Sequence, residues 1–145
     1  MCALACLAEW PALIERLFIT KEVNSKGIYR VKICKNGEWV TITIDDYFPC
    51  HPEGGPIFSR AHCNELWVLV LEKAYAKLHG NYFSLWGGYA LEGLIDLTGC
   101  PSVYFDFNDE YARMLLDSGE LWKLLKRYDD EGYLICGSTP GEEWW

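Results

Sequence analysis

The chain has 145 residues, half of them hydrophobic, and its 21 acidic against 13 basic side chains give a formal net charge of −8. This hydrophobic fraction excludes a largely disordered chain, and the length is that of one ordinary domain with a buried core. The acidic balance excludes nucleic acid as the main partner, because neutralising phosphates requires a basic surface. No apolar stretch approaches the roughly 18 residues of a membrane-spanning helix, so no membrane span is predicted.

The seven cysteines are scattered along the chain without the paired short spacings of a disulfide framework. We therefore expect reduced thiols and a cytoplasmic protein. Residues 1–9 contain no basic side chain and reach Glu9 after a short apolar run. That pattern is not typical of a signal peptide.

The first predicted elements are two short helices and a β-hairpin. Apolar residues recur at helical spacing over residues 4–18, and Pro11 divides this segment into two helical pieces. Over residues 28–45 apolar and polar residues alternate, as in a half-buried strand. Asn36-Gly37 interrupts the alternation and favours a type I′ turn, so this segment is predicted to be a hairpin.

The strongest predicted helix follows an irregular loop. Its apolar stripe runs from Trp67 to Leu78, Asn64 offers an N-cap and Gly80 lies where a helix ends. Three charged residues lie off the stripe: Glu72, Lys73 and Lys77. A second, shorter helix is predicted over residues 90–97, before Gly99 and Pro101.

The last third of the chain gives weaker signals. Residues 103–107 and 133–136 are candidate strands, and Ser118 is a candidate cap for a helix over residues 121–128. The order of helices, hairpin, helices and mixed elements predicts an α+β fold without internal repeats.

Cysteine catalysis needs a thiolate beside a histidine base, and the chain has three histidines. His79 lies next to Gly80, where we expect it to act as a charge at the end of a helix. Cys50-His51 and His62-Cys63 could supply zinc ligands, but adjacent residues rarely reach one metal, so an unrelated loop is the favoured interpretation. Cys2 and Cys6 are one helical turn apart, and we expect two small buried residues rather than ligands.

Three further segments have two interpretations each. Glu65, at the start of the long helix, is either a favourable charge at the helix N-terminus or one oxygen ligand for a hard cation. Asp45-Asp46 could likewise supply oxygen ligands for a hard cation, but two acids that end a strand are expected to cap the following turn. Trp86-Gly87-Gly88 is either a tight turn or a place where a ligand backbone comes close to glycine beside an aromatic wall. Spacing alone leaves the last pair of alternatives open.

Taken together, these segments resemble the calpain family of cysteine endopeptidases over nearly the whole chain. The Gly-Glu-Trp hairpin and the helix leading to His79-Gly80 are the most specific matches. The matching segments, in family order, are Gly37-Glu38-Trp39-Val40, Ile44 to Pro49, Glu65-Leu66-Trp67, Leu71 to Gly80, Gly87-Gly88, Glu92-Gly93, Asp96 to Gly99, Leu121 to Leu125 and Gly137 to Glu142.

The resemblance implies a papain-like calpain protease core, truncated at both ends. Residues 1–100 would form most of the first protease subdomain and residues 101–145 the start of the second. Residues 1–5 resemble the segment just after the family's nucleophile, so that cysteine is expected upstream of Met1. The histidine and asparagine of the triad are expected downstream of Trp145, and the chain is expected to contain no catalytic residue.

The resemblance also implies two binding roles. Glu65 would be a calcium ligand in an incomplete site, with Ca2+ acting in the complete enzyme. Trp86, Gly87 and Gly88 would bind the backbone of a polypeptide substrate.

The function predicted from this resemblance is that of a fragment of a calcium-dependent cysteine endopeptidase of intracellular proteins, inactive as given. The alternative is a non-catalytic, calpain-like binding or regulatory polypeptide. A zinc-dependent protein is a third possibility. In the fragment, we expect the apolar face of the first helix to lack a partner and the packing to be loose.

Overall fold

The computed structural model describes residues 2–59, 65–85 and 87–138. The chain divides into two compact units, Met1–Cys100 and Pro101–Trp145. Helices and one two-stranded sheet make it an α+β fold, as the element order predicts. The identity of the two units as protease subdomains stays a prediction.

Two short helices begin the first unit, as predicted. Helix α1 spans Cys2–Ala8 and helix α2 spans Pro11–Glu15. Pro11 occupies the first position of α2, where the missing N–H leaves no hydrogen bond unmade and the fixed φ suits a helix.

The predicted hairpin is confirmed. Strand β1 (Ile28–Lys35) pairs in antiparallel register with β2 (Glu38–Asp45). Asn36 and Gly37 have φ values of 52° and 82°, as a type I′ turn requires. The outer edge of β1 is also paired, because the Lys32 N–H donates to the Leu17 carbonyl at 2.8 Å and the Ile19 N–H to the Arg30 carbonyl at 2.9 Å.

Two longer helices cover the hairpin. Helix α3 spans Trp67–Leu78 and contacts both strands, whereas helix α4 spans Ala90–Thr98 and contacts β1 and α1. Leu66 occupies the N-cap position of α3, and Asn64, the predicted cap, lies outside the described residues. Gly99, with φ of 68°, ends α4 as its position after the helix predicts.

The core of the first unit draws on every one of these elements. Its buried apolar side chains are Ala3, Leu4, Leu7, Ile14, Leu17, Tyr29, Val31, Ile33, Cys34, Ile42, Ile44, Val70, Leu71, Ala74, Ala76, Leu94 and Leu97.

The expectation that the first helix lacks a partner is wrong. Leu4 and Leu7 are buried, at 5% and 0% exposure, and α1 packs against α4. The cause is Gly93 in α4: a Cβ built there would lie 2.9 Å from the Ala3 Cβ. Glycine at this position lets the two helices approach closely enough to cover the apolar face of α1.

The second unit contains two helices, α5 (Glu110–Asp117) and α6 (Glu120–Asp130), which pack on each other. Helix α6 was predicted, but Gly119 rather than Ser118 is its N-cap. Helix α5 was not predicted, although Asp109 before it and Glu110 in its first turn are helix-start signals.

The two strands predicted for the second unit are absent from its described residues. Residues 103–107 and 133–136 are irregular, and Val103 and Tyr104 are 66% and 65% exposed. Within the described part of this unit no segment pairs with either one, and a strand without a ladder partner has no hydrogen bonds to hold it.

No helix in the described part of the chain has both the length and the apolar character needed to cross a membrane.

Candidate functional site

Gly87 and Gly88 lie in the segment that joins α3 to α4, and both are exposed. Neither has a positive φ, whereas eight other glycines do. A Cβ built on either glycine meets no atom within 4 Å. The tight-turn interpretation therefore lacks its usual cause, because neither backbone conformation nor packing in the described chain requires glycine here.

Neither Gly87 nor Gly88 makes a hydrogen bond to any other described residue. Exposed amide and carbonyl groups without a side chain in the way can receive an extended peptide. Trp86, the third residue predicted at this site, lies outside the described residues.

A polar cluster holds the two helices that flank this segment. Asp96 of α4 is 4% exposed, and its Oδ2 atom accepts hydrogen bonds from Lys35 Nζ at 3.1 Å and from the Tyr75 hydroxyl at 3.0 Å. Lys35 ends β1 and Tyr75 lies in α3, so one carboxylate joins three elements. Burial, and then the negative charge of Asp96, raises the pKa of Tyr75.

His79 belongs to the same cluster, which the sequence did not indicate. Its ring lies against Tyr75, with centroids 4.5 Å apart, and its Nε2 atom is 3.5 Å from Asp96 Oδ2. His79 is the C-cap residue of α3, at the helix end where it was predicted, but its polar partners were not predicted. The partners come from β1 and α4, which are distant in sequence.

Glu65 is exposed and accepts a hydrogen bond from Trp67 Nε1 at 3.1 Å. Calcium takes six to eight oxygen ligands. No group of three or more acidic, cysteine or histidine side chains in the described residues could hold a metal ion. The described residues around Glu65 therefore do not by themselves form a calcium site.

The loop after β2 is fixed to α3 by a buried carboxylate. Glu72 is 5% exposed and accepts hydrogen bonds from the Ser59 N–H at 3.2 Å and from Ser59 Oγ at 2.6 Å. Sequence analysis placed Glu72 off the apolar stripe and missed this role. Its cause is the loop itself, which folds over that face of α3 and supplies two donors for the carboxylate.

The start of the same loop is also held to α3. Lys73 forms an ion pair with Asp45 and donates to the Tyr47 carbonyl. The hydrogen bond from Lys73, followed by that from the Tyr47 N–H, lowers the pKa of Asp45. The Tyr47 N–H donates to Asp45 Oδ1 at 2.9 Å, so the prediction that this acidic pair caps a turn is confirmed for Asp45.

Tyr82 lies beside this loop, and its ionisation at alkaline pH affects the stability of the fold. Its ring stacks on Phe58 with centroids 4.6 Å apart, and burial, then the charges of Glu72 and Asp45, raise its pKa from 10.0 to about 12. A raised pKa favours the neutral phenol in the folded state. The contribution of neutral Tyr82 to the free energy of unfolding is therefore complete below pH 10, and it is lost as the pH rises to about 12.

We therefore expect the free energy of unfolding to fall over this pH range by less in Tyr82→Phe than in the unmodified chain. Denaturant titrations between pH 10 and 12 measure the difference. Tyr47→Phe is the control, because that side chain is 82% exposed. Equal pH dependence of the Tyr82 variant and the unmodified chain would contradict the prediction.

The remaining cysteine and histidine candidates do not meet in the described residues. Cys50 and His51 are exposed, and the His51 N–H donates to the Gly55 carbonyl at 2.9 Å within its own loop. His62 and Cys63 lie outside the described residues. Cys6 is partly buried rather than buried, so that prediction is only partly right. The described free cysteines are Cys6, Cys34, Cys50, Cys100 and Cys136.

Comparison with known proteins gives the same family over this whole region. The model of the calpain family of cysteine proteases matches residues 1–143. A calpain-type cysteine protease of Oryza sativa subsp. japonica and one of Arabidopsis thaliana are each 45% identical to the chain over 139 residues, or 95% of it. Calpain-10 of Mus musculus is 37% identical over 115 residues, or 75% of the chain.

The chain spans only part of these relatives: 6% of the length of each plant protein and 17% of Calpain-10. The match nevertheless covers almost all of the chain itself, including α3, the exposed glycines and α4. By this similarity the chain belongs to the calpain family of cysteine proteases.

Proposed function

We propose that the chain is part of the peptidase domain of a calcium-dependent cysteine endopeptidase that cleaves polypeptides in the cytoplasm. Support comes from relatives named as cysteine proteases that match 95% of the chain. In such an enzyme a cysteine thiolate attacks a peptide carbonyl, and a histidine accepts and later returns the proton. The proposed contribution of these 145 residues is to bind the substrate backbone.

The observation that carries substrate binding is the pair of exposed glycines. A substrate in extended conformation can approach Gly88 because no Cβ intervenes, and it can exchange hydrogen bonds with backbone groups that have no partner among the described residues. Trp86 is proposed as a wall of this groove on the strength of the resemblance. The specificity would then come from side chains of the substrate that point away from the shared backbone.

Calcium dependence rests on the resemblance. We assign Glu65 the role of one oxygen ligand, because its carboxylate is exposed just before α3 and, among the described residues, accepts a hydrogen bond only from the Trp67 indole. The other ligands would come from residues that are not among those described.

We also propose that the 145-residue chain alone does not cleave protein. The contacts of His79 support this, because the ring lies against Lys35, Asp96 and Tyr75 rather than against a thiol. The described residues therefore offer no thiolate and imidazole pair built around His79.

A chimera tests this proposal. The 139-residue region of the rice relative that matches this chain would be exchanged for the corresponding region of this chain. We expect the chimera to cleave casein, an unstructured substrate, only with calcium, and the purified 145-residue chain to leave casein intact. Cleavage by the isolated chain, or activity of the chimera that ignores calcium, would contradict the proposal.

Gly88→Val in the chimera tests the glycines. A β-branched side chain keeps the substrate backbone away, so kcat/KM should fall at least about tenfold, equivalent to about 1.4 kcal/mol of transition-state stabilisation. Gly137→Val is the matched control, because Gly137 also has an ordinary φ and open space around its Cβ position. Equal effects of the two substitutions would refute a substrate role for Gly88.

A non-catalytic binding role is the second candidate. The observation in its favour is the covered apolar face of α1, since a first unit with a closed core can be stable without further chain. The isolated chain would then bind casein through the same glycines without cleaving it. Casein binding that is lost in Gly88→Val, together with an inactive chimera, would favour this role.

A further inference from the structure

Two cations compete for the buried carboxylate of Asp96. Its Oδ2 atom lies 3.1 Å from Lys35 Nζ at the end of β1 and 3.5 Å from His79 Nε2 at the end of α3. The Asp96 side chain is only 6% exposed. A carboxylate removed from water to this extent needs a charged or hydrogen-bonding partner, and the Tyr75 hydroxyl alone supplies only one donor.

The two cations also contact each other. His79 Nε2 lies 3.5 Å from Lys35 Nζ. A neutral imidazole with its proton on Nδ1 presents a lone pair at Nε2 and accepts a hydrogen bond from the ammonium group. A protonated imidazole carries a proton on Nε2, donates to the carboxylate and repels the ammonium group. One nitrogen therefore cannot serve Lys35 and Asp96 at the same time.

We propose that protonation of His79 exchanges the cation paired with Asp96, from Lys35 when the ring is neutral to His79 when it is charged. The negative charge of Asp96 stays compensated in both states, because one cation replaces the other.

Glu92 is an alternative ion-pair partner for Lys35. Its Oε1 atom lies 3.6 Å from Lys35 Nζ, and its side chain is 57% exposed. The Lys35 side chain is 27% exposed, so its ammonium group can turn to Glu92 and solvent without being buried. The charged and titratable groups around His79 are thus Lys35 from β1, Tyr75 from α3, and Glu92 and Asp96 from α4.

The exchange changes which secondary-structure elements the ion pair of Asp96 connects. The pair with Lys35 joins α4 to the hairpin, whereas the pair with His79 joins α4 to the end of α3. Residues 79–89 connect α3 to α4 and include Gly87 and Gly88, so both ends of this segment are affected. The exchange itself is independent of the proposed function, and the glycine amides report it whether or not they bind substrate.

Nuclear magnetic resonance on the 145-residue chain with labelled histidine tests the proposal directly. At the alkaline end of the titration, about pH 8, we expect the His79 ring to carry its proton on Nδ1, because Nε2 faces the Lys35 ammonium group. As the pH falls, the Lys35 and Gly88 amide signals should shift with the same midpoint as the His79 ring. His51→Gln, which removes an exposed histidine, assigns the ring signals and should leave the coupled shifts unchanged.

Three results would overturn the proposal: a proton on Nε2 at about pH 8, Lys35 signals that do not follow the His79 titration, or histidine signals typical only of an unfolded chain. The first would mean that neutral His79 already donates to Asp96. The third would mean that the cluster is not formed.

Substitution of Lys35 gives a second, energetic test. Lys35→Met should lower the equilibrium constant for folding about tenfold at about pH 8, because Asp96 loses its cation, and less than about threefold at about pH 5.5, where charged His79 replaces it. In a His79→Gln background the Lys35→Met effect should be the same at both pH values. Equal losses at both pH values with His79 present would refute the exchange.

Discussion

Leu7→Ala should lower the free energy of unfolding of the first unit by about 3 kcal/mol. Leu7 is fully buried on α1, at the face that packs against α4. Truncation removes favourable apolar burial and leaves a cavity that the surrounding side chains fill only in part. Denaturant unfolding followed by circular dichroism measures the loss.

Leu116→Ala is the control for this substitution. It deletes the same atoms from a leucine that is 53% exposed, so the loss should be below about 1 kcal/mol. A loss at Leu7 no larger than the loss at Leu116 would mean that α1 is not docked on the core. The expectation of an unpartnered first helix would then be restored.

Asp96→Ala should have an effect of similar size, about 3 kcal/mol. The substitution removes the common partner of Lys35, Tyr75 and His79, and leaves the Lys35 ammonium group and the Tyr75 hydroxyl without the carboxylate they share. Losing one member of a buried polar cluster is costly because the others keep their desolvation penalty without the compensating contact. The same unfolding measurement at about pH 8 applies, with histidine largely neutral.

Asp45→Ala is the matched control, because Asp45 also pairs with a lysine, Lys73, but its side chain is 59% exposed. Its loss should be much smaller, since solvent and salt already screen an exposed pair. If both aspartates cost the same, the cluster around Asp96 does not join the three elements as described.

The local elements of the first unit could be predicted because their causes are local. Pro11 sets the break between α1 and α2, Asn36-Gly37 sets the hairpin turn, and Gly99 ends α4. In each case one residue type with a restricted or unusual backbone decides the outcome. Tertiary contacts did not have to be known.

Long-range polar contacts could not be predicted. Glu72 was placed off the apolar stripe of α3, but the loop residue Ser59 covers it. His79 was expected only as a charge at the end of a helix, and its contacts with Lys35 and Asp96 were not foreseen. The partners lie 13 to 44 residues apart in sequence. The prediction of a strand at residues 103–107 failed for the opposite reason, since an apolar and aromatic segment does not form a strand without a ladder partner.

The sequence predicts a candidate site at residues 86–88 and leaves its two interpretations open; a substrate role for Gly87 and Gly88 stays a prediction. Spacing at Gly87 and Gly88 suits a turn and a ligand equally well. The distinction depends on φ, on the space around each Cβ position and on the backbone hydrogen bonds, which only coordinates supply. Trp86 and the calcium role of Glu65 stay predictions.

Helices α1 and α4 approach each other closely at Ala3 and Gly93, which are 90 residues apart in sequence. The residue types that these two positions can hold therefore depend on each other. A Cβ added to Gly93 would lie 2.9 Å from the Ala3 Cβ, so only one of the two positions can carry a side chain at this helix spacing. Homologous chains that keep the packing should therefore show coupled changes, in which a larger residue at position 93 accompanies glycine at position 3. Such co-variation would record the helix contact across the family without any further structure.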